Sequence, residues 1–161
     1  MGVKSGVGGT DLLRVTLRSL TGRPFAEDVA DVVTWLRGLD GCPSINDAVP
    51  AVCRAASHGE DPGTWFYVEA DPAEGVARLR CLSCGGVHPI LDSAERWTYP
   101  PAWSCQNCRQ SIAEVVFGLH EEASAVTWAA LAVRCVDCGN LDGVADFVVP
   151  SLYPSAFVPG A

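Results

Sequence analysis

Three Cys-x-x-Cys pairs dominate the second half of this 161-residue chain: Cys81/Cys84, Cys105/Cys108 and Cys135/Cys138. The first and third share a frame, RCLSCGG at 80–86 and RCVDCGN at 134–140, while the middle pair reads SCQNC. Two cysteines separated by two residues can grip one cation from a single tight turn, and a following glycine lets the backbone enter the left-handed region there. Gly85 and Gly139 supply that glycine; Arg109 stands in its place after Cys108. Four soft ligands in a tetrahedron at roughly 2.3 Å is what zinc takes. The six paired cysteines are therefore the expected metal ligands. One zinc is expected, with a second where the chain can complete another set.

The elements that must position these knuckles are legible in part. Ile112 to His120 carries both a helical spacing and the β-branched and aromatic density of a strand; the strand reading is preferred. If it forms an antiparallel hairpin with 127–134, turning near 122–125, residue 112 falls opposite 135 and 109 opposite 138. Cys105 and Cys108 then meet Cys135 and Cys138 at the open end of the hairpin. That pairing is preferred over 81/84 with 105/108 or with 135/138. Thr64 to Ala70 and Val76 to Cys81 read as another hairpin about the turn DPAEG, and 143–150 as a last strand.

The order knuckle, strand, turn, strand, knuckle over Cys105 to Cys138 resembles the zinc-ribbon superfamily. The resemblance covers about a fifth of the chain. It implies a structural four-cysteine zinc site and a local β-ribbon; ribbons of this kind are common in transcription, translation and assembly proteins, so no single activity is implied. Arg109 and the long spacer depart from the pattern.

Cys81 and Cys84 need partners. Cys42 and Cys53 would complete a second set of four, and His88, four residues after Cys84, is another donor. The preferred reading of Cys42 and Cys53 is as small buried apolar residues. His58, in HGEDPG, reads as a loop residue, and His120 as a surface residue at the hairpin turn, beyond reach of the ribbon's ion at ~3.3 Å per strand residue.

Ahead of the knuckles the chain reads differently. Residues 1–10 form a glycine-rich flexible lead-in, and 11–60 a helical section. Asp11 to Leu20 is a short helix or strand. Val29, Val32, Val33 and Leu36 keep helical spacing behind Pro24 and before Gly38, and 44–59 is expected as a second helix despite Pro50. Residues 61–161 are the zinc-binding antiparallel β domain. The expected class is α+β.

Composition narrows the function. Apolar residues at 48% and charged residues at 19% suit a globular chain. No apolar run approaches the ~20 residues of a membrane span, and the first residues lack a signal-peptide pattern, so a cytoplasmic protein is expected. Arginine in place of almost all lysine suggests a GC-rich bacterial genome. The net charge is −8, and residues 61–161 carry twelve Asp/Glu against five Arg. An acidic half of this kind disfavours nucleic-acid backbones. The aromatic loop WTYPPAW at 97–103 is either a lid over the knuckles or a partner-binding anchor. No nucleophile, base and oxyanion arrangement is readable. The expectation is a non-enzymatic interaction or assembly module held by structural zinc, with a protein partner or larger assembly. Two alternatives remain open: a nucleic-acid-associated ribbon factor, and a thiol-redox protein. A redox dithiol would open a helix, and no helical pattern follows Cys81 or Cys135.

Overall fold

The computed structural model describes residues 26–39 and 42–150. The lead-in 1–10 and the segment 11–20 lie outside the described residues. Among those described, the fold is mostly β with a small helical part: one α-helix, α1 (Val29–Arg37), and seven antiparallel strands. The strands are β1 (Asp47–Pro50), β2 (Phe66–Asp71), β3 (Val76–Cys81), β4 (Val87–Pro89), β5 (Ile112–Glu122), β6 (Ala125–Cys135) and β7 (Leu141–Val148). α+β is therefore a loose description. No helix among the described residues is long and apolar enough to cross a membrane.

The helix forms where its spacing predicts. The Asp28 side chain accepts the Asp31 N–H at 3.1 Å as an N-cap, and Gly38 follows the last turn. Val32 and Leu36 are fully buried against the sheet. The expected second helix over 44–59 is not there. Asp47–Pro50 pairs with β5 instead, Pro50 opposite Val116, and only Ala56–His58 makes a short 3₁₀ turn. Pro50 costs a helix one bond and a clash, and Val49 and Val52 suit a strand, so pairing with an available β5 edge wins.

The sheet runs β4-β3-β2-β5-β6-β7, with β1 and β2 sharing one edge of β5. β5 is a strand because both its faces are buried. Ala113, Val115, Phe117 and Leu119 enter one core, while Val116 enters the other, beneath α1. An apolar run buried on both sides reads as ambiguous by periodicity, which is why its sequence fits helix and strand alike.

The sheet curls over its first face. Phe66, Val68, Ala77 and Leu79 from β2 and β3 share a core with Leu131, Val133, Ala145 and Phe147 from β6 and β7. Trp103, whose N–H bonds the Val68 carbonyl beside β2, also reaches Asp142 of β7 with its indole N–H at 3.1 Å. The β5–β6 hairpin has the predicted register at its turn, Glu122 opposite Ala125. A bulge at 120/121 then shifts it by one, so that Cys135 faces Ala113 rather than Ile112.

Candidate metal centres

One cross-strand row positions both centres. Cys81 faces Phe66, Phe66 faces Ala113, and Ala113 faces Cys135, across β3, β2, β5 and β6. Three strand spacings of ~4.8 Å put Cys81 and Cys135 roughly 14 Å apart, too far to share an ion. Each therefore needs its own partners, and each finds them in the chain just before its hairpin.

At the β6 end the partners are the preceding knuckle. Cys105 Sγ lies 3.6 Å from Cys138 Sγ, and Cys108 Sγ 3.5 Å from Cys135 Sγ. All four sulfurs are within 4.8 Å of one another. A tetrahedral ion with bonds of ~2.3 Å spaces its sulfurs about 3.8 Å apart, whereas a disulfide needs ~2.05 Å. The spacing is that of a metal site, and all eight cysteines are free thiols.

At the β3 end the set is Cys53, His58, Cys81 and Cys84, again within 4.8 Å of one another. Cys53 and Cys84 are 3.7 Å apart, and His58 Nε2 is 3.4 Å from Cys81 Sγ. Cys53 and Gly63 exchange two backbone hydrogen bonds, closing the loop that carries His58 back toward the sheet. Gly63 is there for space: a Cβ at this position would stand 2.7 Å from Cys81 Sγ and 2.9 Å from the His58 ring. His88 Nε2 lies 3.2 Å from Cys53 Sγ, outside the group of four but touching it.

The three knuckles share one backbone form. In each, the N–H four residues after the first cysteine donates to that cysteine's carbonyl at 2.9 Å: Gly85 to Cys81, Arg109 to Cys105, Gly139 to Cys135. All three donors have positive φ, 71°, 69° and 72°. Arg109 thus holds a conformation that glycine holds elsewhere, at a steric cost of about 1 kcal/mol.

The thiols in each group are unlike one another. Burial raises Cys53 and Cys105 and pushes Cys135 up to about 12. The Gly86 N–H, 3.3 Å from its sulfur, brings Cys84 down to about 7. Burial works against Cys138, but the Asn107 side chain and the Asn140 N–H bring it down to about 7. Two of the eight thiols are thus poised to lose a proton, which metal binding requires.

All six cysteines of the Cys-x-x-Cys pairs lie in one group or the other, and either group could hold a metal ion. Cys53, read from sequence as a small buried residue, is buried and also a donor; His58, read as a loop residue, is a donor too. Cys42 stays with the helix-side core, its thiol 3.7 Å from the Leu39 carbonyl. His120 sits by the hairpin turn, bonded to the Ser44 carbonyl at 2.7 Å and to Glu122. The missed signal was architectural. Cys53 and His58, then β2, turn, β3 and the Cys81/Cys84 knuckle repeat the order of the later hairpin, with C-x-x-x-x-H in place of a first C-x-x-C. Compared with known proteins, the chain matches no family model, no curated protein and no solved structure.

Proposed function

We propose that this is a zinc-stapled protein-interaction module, two ribbon-like hairpins side by side, each closed by one structural zinc. The observation that carries the reading is the pair of four-donor groups, with sulfur separations of 3.5–3.7 Å. Three thiolates with an imidazole, and four thiolates, are donor sets zinc prefers. Cys105, Cys108, Cys135 and Cys138 would hold one ion, and Cys53, His58, Cys81 and Cys84 the other. Four protein ligands leave no position for water or substrate, so each ion serves to hold chain together.

The interaction role rests on surface chemistry. Trp65, Tyr67 and Tyr99 are exposed at 45%, 36% and 85%, and exposed aromatics are the usual anchors of protein interfaces. The −7 charge of residues 61–161 favours a protein partner over a nucleic-acid backbone.

Native mass spectrometry with metal analysis, on protein purified under reducing conditions, tests the reading. Two zinc ions per chain are expected, with loss of the β signal after strong chelation. A folded chain that carries no metal would overturn it.

A further inference from the structure

The loop 97–103 holds two indoles and a hydroxyl in place and leaves the Tyr99 ring largely in solvent, with the Arg78 charge acting on it. Trp97 lies beneath the Arg78 guanidinium, 4.2 Å from ring to cation, and Arg78 pairs with Glu69 at 2.6 Å. Thr98 donates its hydroxyl to Asp71 at 3.0 Å, and Trp103 donates its indole N–H to Asp142. Tyr99 alone among the three rings projects, 85% exposed, at φ 55°. A bulky residue just before a proline is disfavoured there twice over, by its own Cβ and by the Pro100 ring. A strained backbone that presents an exposed ring, with no packing gained by it, is the kind of feature found at functional sites.

Tyr99 stands at the rim of a cavity of about 570 Å³ walled by Pro100, Pro101, Trp103, Asp71 and Asp142. Among the described residues that line it there are two carboxylates and no Lys, Arg or His. Proline and aromatic walls beside two carboxylates make a half-open, largely polar groove, suited to a cationic group rather than an apolar ligand. The same loop shows which group such surroundings suit. On its other side an aromatic ring and a carboxylate already hold the guanidinium of Arg78. Guanidinium stacks on aromatic faces and pairs with carboxylates in a way an ammonium does not.

We infer that this groove binds an arginine-bearing, extended segment of a partner protein, with the guanidinium between the Tyr99 ring and the Asp71 carboxylate. The inference rests on the interaction-module reading and names the partner's chemistry at that surface. Asp71 already accepts from Ala73, Glu74 and Thr98, which orients its carboxylate, and a carboxylate has lone pairs for a further donor.

The test uses the zinc-loaded full chain and two displayed heptapeptide libraries, identical except for a fixed central residue, arginine or its neutral isostere citrulline. A single-stranded oligonucleotide is run beside them. Arginine peptides should be enriched at least tenfold over citrulline peptides. Their binding should fall at least tenfold with Tyr99→Ala, which removes no packed side chain, and with Asp71→Asn. Binding should perturb the amide signals of Thr98, Tyr99 and Gln106. Peptides that bind without arginine, or regardless of Tyr99, overturn the groove assignment while the module reading stands. Retention of the oligonucleotide at these residues, or of no peptide at all, also overturns it. Failure of the underlying reading shows separately, as a chain without zinc.

Discussion

The two centres use the same plan with different security. The Cys105/Cys108/Cys135/Cys138 group closes two eleven-residue strands, and its Cys105 and Cys135 are fully buried. The Cys53/His58/Cys81/Cys84 group closes two six-residue strands; its Cys53 and Cys81 are buried as deeply, but its Cys84 is exposed. Both groups reach the same core, and the difference lies in the length of sheet beside each. The difference implies that ions held by like donor sets would carry unequal shares of stability, set by how much buried sheet each would close.

The hardest test of that inequality is to remove one thiol from each. Cys135→Ser should cost about 4 kcal/mol or more, a fall of roughly 8–16 °C in Tm, because it opens the long hairpin and leaves a polar group in the core. Cys84→Ser should cost only about 1–2 kcal/mol while lowering the metal count from two to one. Thermal melts followed by circular dichroism, with metal analysis, decide; equal losses would end the comparison.

Gly63→Ala should act on the earlier centre alone. Its methyl would meet Cys81 Sγ at 2.7 Å and the His58 ring at 2.9 Å, so the ligands must part. One zinc per chain should remain in native mass spectra, and the β5–β6 amides should keep their protection from hydrogen exchange. Loss of both ions would show the centres to be coupled.

His88→Ala probes the contact on Cys53. With Cys53 ligating as a thiolate, His88 Nε2, 3.2 Å away, would donate to it and orient it, and such outer partners are typically worth about 10–100-fold in metal affinity. Chelator competition should show that weakening for one zinc only, with His88→Gln restoring part of it.

Within the earlier centre the thiols should differ in turn. In protein stripped of one equivalent of zinc, Cys84, exposed and titrating at about 7, should be alkylated first at pH 7.5, ahead of buried Cys53. The thiolate is the nucleophile, so the rate at Cys84 should fall as pH drops below 7, while its lead over Cys53 narrows only as pH rises. Peptide mapping after brief iodoacetamide treatment reads the order.

The smallest expected effect is a gain. Arg109→Gly in the later centre should raise stability by up to about 1 kcal/mol, since it relieves a left-handed arginine at φ 69°, less the added freedom of the unfolded chain. Urea midpoints measure it. A loss would mean that the Arg109 side chain contributes more than its backbone costs.

The knuckles, the strand character of 64–70 and 76–81 and the helix at 29–37 could all be read from residue types, because each rests on local chemistry: ligand spacing, alternation, a cap. The convergence of 105, 108, 135 and 138 could be read too, since a hairpin's register follows from its turn. The bulge at 120/121 could not; it moves Cys135 by a single position, from opposite Ile112 to opposite Ala113, and the four sulfurs still converge.

What the sequence alone determined is the six Cys-x-x-Cys donors and the later hairpin, both set over short stretches of chain. What only the tertiary structure decided is the earlier centre. Cys53 and His58 carry no spacing that distinguishes a ligand from a core cysteine or a loop histidine. They become donors because β1 pairs with β5, the Cys53–Gly63 bridge folds the loop back, and the row from Cys81 to Cys135 keeps the two knuckles apart. Those are contacts between residues distant in sequence, and no local pattern encodes them.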